Sequence, residues 1–200
     1  YNQFCISADM TNFIHLMNPT ISPSWFGARP ISLVDSTNAL NMAIIVGSRS
    51  RSIVDGGGCT FYVGYSLGFN ITSTNALISI KNITINPRSN YNPTEEPYML
   101  VFSGAVDVEL ESVNINPANG KDVNSLFLDV YWSRVRNCFF RNDVKIGDNA
   151  EDYAFTNNQL SGEIEGCYFS TASRSAIITG NSFSQCRVHL VGDAGVQSGY

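Results

Sequence analysis

Hydrophobic and polar positions recur along much of this chain in an eight-residue pattern. Five windows carry it: Ile78–Ile85, Val108–Ile115, Ser133–Phe140, Gly162–Phe169 and Ala176–Phe183. Position three is aliphatic throughout (Ile80, Leu110, Val135, Ile164, Ile178), and position eight is apolar (Ile85, Ile115, Phe140, Phe169, Phe183). Position six holds Ile83, Val113, Cys138, Cys167 and, out of keeping, Asn181. Position five takes only small or amide residues: Asn82, Ser112, Asn137, Gly166 and Gly180. Those residue types tolerate a left-handed backbone, so each window predicts strand, sharp corner, strand. The window starts differ by 30, 25, 29 and 14 residues. Self-similarity on that scale, carried by short β units with turn residues, predicts an all-β solenoid of parallel coils. A final interval of 14 residues is short for a three-strand coil of about 20 or more. Either the last rung is compact or the fifth window is a near-match in the wrong register.

The segments between the windows complete the coils. Tyr98–Phe102, Leu126–Val130 and Tyr153–Phe155 precede three windows and are expected to supply third strands. Pro87–Pro97, Asn116–Asn124 and Asn142–Asp152 are rich in Asn, Pro, Gly and Asp and predict loops leaving the solenoid. One helix is expected, over residues 36–46. Asp35 or Ser36 caps it, and Ala39, Leu40, Ala43 and Ile44 recur at helical spacing as an apolar face. Its expected role is to cover the open end of the solenoid, where a bare strand edge would be sticky. Gly56-Gly57-Gly58 is followed by a strand-like Cys-Thr-Phe-Tyr-Val rather than by Lys-Ser or a helix. It therefore predicts a turn into the first rung, not a phosphate cradle. The organisation expected is a neck over 1–30, the helix and first coil over 31–75, and the β-helix coils over 76–200.

Stacking the windows about 4.8 Å apart places position four as a column of Lys81, Glu111, Arg136 and Glu165. Position two becomes Ser79, Glu109, Arg134 and Glu163. Neighbouring signs alternate, which penalises a slip of one rung. Each exposed pair contributes only about 0.2–1 kcal/mol. A neighbouring cation lowers a carboxylate's pKa, so these conspicuous acids suit a structural ladder better than acid catalysis.

Composition narrows the partners. A charged fraction of 14% and a net charge of −5 argue against nucleic acid or an anionic membrane. Five cysteines show no CxxC pair and no metal-ligand spacing; Cys138 and Cys167, at the same inward position of successive windows, predict buried free thiols rather than a disulfide, and so a reducing compartment. No apolar run approaches the ~20 residues of a membrane helix, and no signal peptide is visible. The chain begins at Tyr1, and the expectation is a piece of something longer.

The carboxylates outside the columns are Asp129, Asp148, Glu151 and Asp152, with Asp143 beside them and with Tyr131 and Trp132 next to Asp129. Glycoside hydrolysis needs one protonated and one ionised carboxyl, about 5 Å apart for retention or ~6.5–9.5 Å for inversion. Aromatic rings beside a carboxylate suit a groove in which sugar faces stack. Asp129, Asp148, Glu151 and Asp152 are the catalytic candidates and Tyr131 and Trp132 the substrate-binding ones, with no metal or other cofactor expected. The alternative for each is ordinary: rings packing at a corner and a solvated acidic loop.

Ser24-Trp25-Phe26-Gly27-Ala28, then Asp35-Ser36-Thr37-Asn38-Ala39-Leu40, then Gly56–Val63 resemble the opening of phage tailspikes and related tail-fibre proteins of the pectate-lyase-like superfamily. The match departs after Ala28, where Arg29–Val34 replace the family's Gly-Asp-Gly turn and second Asp. The resemblance implies a right-handed, single-stranded parallel β-helix, side-by-side assembly as a homotrimer, and a place in the virion tail after synthesis in the host cytoplasm. It also implies a tailspike that binds bacterial surface polysaccharide (capsule or O-antigen) and hydrolyses it as an endo-glycosidase. The alternative is a non-enzymatic adhesin or structural fibre joined to other tail or baseplate proteins. A cellular calcium-dependent lyase ranks last, for want of an Asp cluster.

Overall fold

The computed structural model describes residues 20–70, 76–95, 97–116, 123–162, 167–170 and 174–191. A two-residue strand, β1 (Thr20–Ile21), and a 3-10 turn (Pro23–Phe26) lead to α1 (Thr37–Ser50). Strands follow: β2 (Ile53–Val63), β3 (Leu67–Asn70), β4 (Ala76–Pro87), β5 (Tyr98–Ile115), β6 (Asn124–Arg136), β7 (Phe139–Arg141) and β8 (Val144–Ile146). The last coils add β9 (Asp152–Thr156), β10 (Gln159–Ser161), β11 (Cys167–Ser170), β12 (Ser175–Thr179), β13 (Ser182–Ser184) and β14 (Val188–Val191). The described strands pair in parallel and form a β-solenoid of about 5 turns with three faces.

Inward side chains stack in columns. The first face carries Val54, Ile80, Leu110, Val135, Phe155 and Ile178. The second carries Phe61, Ile85, Ile115, Phe140, Leu160 and Phe183. The third carries Phe102, Leu128, Ile146, Phe169 and Leu190. The faces meet through rings: Phe155 lies 6.0 Å from Phe140 and 5.2 Å, edge-on, from Phe169. Each such buried ring or aliphatic chain contributes about 1.5–3 kcal/mol relative to exposure.

The corner between the first and second faces has the expected backbone. Asn82, Ser112, Asn137, Asn157 and Gly180 have φ of 51°, 54°, 54°, 55° and 68°. The windows beginning at 78, 108, 133 and 176 are in register, but the one beginning at 162 is not. The true fourth window is Tyr153–Leu160, because Val135 pairs with Phe155 and Phe140 with Leu160. Tyr153–Phe155 is therefore a first-face strand, not a third strand. That third strand is Val144–Ile146, inside the segment expected to be a loop. Coil intervals become 30, 25, 20 and 23 residues, so the fifth window stands and the short interval vanishes. Cys167 is buried but lies on the third face, paired with Val188.

Gly56–Gly58 sit at this same corner in the first coil rather than before it. The β2–β4 register shifts between Asp55 and Cys59, and the three glycines bulge where Asn82 stands alone one rung on. A Cβ on Gly56 would fall 2.6 Å from that of Ile83, so only glycine fits there.

Helix α1 runs one turn further than 36–46 and buries Leu40, Ala43, Ile44 and Gly47. It lies against β2, β3 and β4, and Asn41 Oδ1 accepts the Gly68 N–H at 3.2 Å from the edge strand β3. At the opposite end, among the described residues, the inward-column Val188 and Leu190 of the last coil are exposed.

Candidate functional site

The outward columns of the first face follow from the inward ones, because side chains alternate along a strand. One column reads Asp55, Lys81, Glu111, Arg136, Thr156. The next reads Ile53, Ser79, Glu109, Arg134, Ala154. Ion pairs run along both: Lys81–Asp55 at 3.4 Å, Arg136–Glu111 at 3.0 Å and Arg134–Glu109 at 3.7 Å. Glu163 and Glu165 lie outside the described residues, and the register gives their expected rungs to Ala154 and Thr156 instead. A depression of about 120 Å³ opens among Ser79, Lys81, Glu109, Glu111, Arg134 and Arg136.

A third column borders these two. Register places Asp107, Trp132, Asp152 and Ser175 on successive rungs. Two rungs put the backbones of Asp107 and Asp152 about 9.6 Å apart, with Trp132 on the rung between them. The Arg134 guanidinium lies 5.1 Å from the centre of that ring while also pairing with Glu109. Burial raises the Asp107 carboxyl above its ordinary 3.8, so it holds its proton more readily than a free carboxylate.

The remaining sequence candidates fall at the corner between the third and first faces, where each carboxylate has a hydrogen-bond or ion-pair partner. Asp129 accepts the Asn149 backbone N–H at 3.0 Å and its side-chain N–H at 2.7 Å. Asp148 accepts the Ser170 hydroxyl at 2.8 Å, and Glu151 is ion-paired with Arg174 at 3.1 Å. Tyr131 is 47% exposed at the same corner. Of the six residues singled out, the fold brings Trp132 and Asp152 into one column and adds Asp107. Nothing in the local sequence marks Asp107; its signal is the residue before each window, read across correctly aligned windows.

A larger depression, about 290 Å³, lies outside the glycine-amide corner between Gly57, Gly58, Asn82, Thr84, Ser112 and Asn114. It offers amides and hydroxyls but no titratable group. Among the described residues, no group of His, Cys, Asp and Glu could hold a metal ion. No described helix is long and apolar enough to cross a membrane.

Among the described residues, the fold is a parallel β-solenoid whose first face aligns Asp107, Trp132 and Asp152 beside ion-paired columns. No family model, no curated protein and no solved structure matches the chain.

Proposed function

We propose that this solenoid is a tailspike-type protein that binds a bacterial surface polysaccharide along its first face and hydrolyses it there. The observation that carries the reading is the column of Asp107, Trp132 and Asp152. In it Trp132 stacks on a sugar ring. Asp107, which burial biases towards the protonated form, gives its proton to the leaving glycosidic oxygen. Asp152 takes a proton from the water that attacks the opposite face of the sugar. Backbones two rungs apart, about 9.6 Å, lie nearer the ~6.5–9.5 Å carboxyl separation of inversion, which admits that water, than the ~5 Å of retention. Homotrimeric assembly and a place in the virion tail belong to the same proposal, on the strength of the sequence resemblance.

A second reading is a non-enzymatic adhesin. It is favoured by the ion pairs that occupy Glu109 and Glu111.

Incubation with purified capsular polysaccharide or lipopolysaccharide, followed by assay of new reducing ends, separates the two. Hydrolysis predicts oligosaccharide release by the native chain, insensitive to chelators. Asp107→Asn and Asp152→Asn abolish release while retaining binding, and Trp132→Ala weakens binding. Binding without release supports the adhesin, and neither binding nor release overturns both. A monomer by light scattering removes the trimer.

A further inference from the structure

We propose that Cys167 and Cys186 form an oxidation site, at which a peroxide closes a disulfide that fastens the last coil to the one before it. The two sulfurs lie 2.8 Å apart and 19 residues apart in sequence. The backbone enforces this approach. Cys167 pairs in register with Val188, and its N–H donates to the Arg187 carbonyl at 2.7 Å. The remaining step to a covalent bond of about 2.05 Å is a small side-chain adjustment.

The pair is asymmetric in the way the chemistry needs. Cys186 is half-buried and reachable by a small oxidant, whereas Cys167 is buried and burial pushes its thiol well up. The Cys186 thiolate attacks one peroxide oxygen, so that an S–O bond forms, the O–O bond breaks and the departing hydroxide becomes water. Cys167 sulfur then attacks the Cys186 sulfenic acid. The S–S bond forms, the S–O bond breaks, and hydroxide leaves with the Cys167 proton as a second water. The sulfur pair loses two electrons and the peroxide gains them. Cys138 is placed differently: it is buried, and its Sγ accepts the Val113 N–H at 3.5 Å.

The staple falls at an end where, among the described residues, inward side chains are exposed. Val188 is 45% and Leu190 64% exposed although both continue inward columns. A solenoid whose units contact only their neighbours opens first at such an end. Closing a loop across it restricts that opening.

The experiment treats the purified chain with stoichiometric hydrogen peroxide, alkylates the remaining thiols and maps tryptic peptides. Cleavage after Lys145, Arg174 and Arg187 places the two cysteines on separate peptides, 146–174 and 175–187. The expected product is these peptides joined, lighter by two hydrogens. It carries a raised Tm and slower proteolysis of the last coil, both reversed by dithiothreitol. Cys186→Ser and Cys186→Ala lose the effect and Cys59→Ser keeps it. Sulfinic acid on Cys186 without the link, a link to another cysteine, or a link that leaves proteolysis of the last coil unchanged would overturn the proposal.

Discussion

The backbone N–H of Cys138 donates to Oδ1 of Asn158, one rung further along, at 2.9 Å. The left-handed residue at position five turns the next peptide N–H into the core, where it would otherwise be orphaned. The following rung supplies the acceptor. Val113 N–H meets Cys138 Sγ, and Asn158 N–H meets Asn181 Oδ1 at 2.8 Å. Each asparagine also donates backwards, Asn158 to the Val135 carbonyl at 3.0 Å and Asn181 to that of Phe155 at 2.8 Å. An amide at an inward position is thus as well satisfied as an apolar chain.

Asn158→Leu keeps the branched shape and removes these bonds, leaving the Cys138 N–H buried and unpaired. A loss of about 1–3 kcal/mol is expected, measured as a lower urea midpoint. An unchanged midpoint would mean that the N–H finds another acceptor.

Ser112, at φ 54°, occupies a conformation that β-branched residues resist. Ser112→Val is expected to cost about 1–2 kcal/mol and Ser112→Asn almost nothing. Thermal denaturation of the two variants side by side tests whether backbone handedness, rather than the hydroxyl, sets the choice.

Asp107 has opposite consequences for activity and stability. Its folded-state pKa is raised above 3.8, so the stability linked to its proton is present below that value and lost as pH rises through the folded pKa. At neutral pH, Asp107→Asn is therefore expected to raise Tm slightly while abolishing hydrolysis. In the native chain, the rate of glycan cleavage should fall as pH rises through the same transition. A pH–rate profile with no alkaline limb would remove Asp107 as the acid.

Asp35 behaves in the reverse sense. Burial pushes its carboxyl up, but hydrogen bonds from the Thr37 side chain and backbone and from Gly64, with the Arg88 charge, hold it below 3.8. It ties the start of α1 to Gly64, whose N–H it accepts at 3.2 Å. This contribution is full above 3.8 and lost as pH falls through the lower folded value. The gap in urea midpoint between the native chain and Asp35→Asn should stay constant down to about pH 5 and close in stronger acid.

Much of the fold was legible because its signal is periodic. Ile80, Leu110 and Val135 align by their own spacing, and Asn82, Ser112 and Asn137 mark the corner. The fourth coil was misplaced because Gly162, Ile164, Gly166, Cys167 and Phe169 mimic the pattern. The true window was hidden by Phe155 where an aliphatic residue was expected and by Asn158 where an apolar one was. A polar residue at position six reads as an exception until its hydrogen bonds to the next rung are seen. The site went with the register. With the fourth window starting at 162, the column beside Trp132 would end on Ser161, and Asp107 and Asp152 never meet.

The coils differ in length, yet their first corner does not. From Asn82 to Gly180 one left-handed residue makes every turn, while much of the varying length falls between the second and third faces, as after Pro87, Ile115 and Ser161. The molecule is a ruler with one graduated edge and one free margin. Segments of unrelated length can be grafted into that margin without moving any graduation, so what the solenoid displays is uncoupled from what sets its pitch.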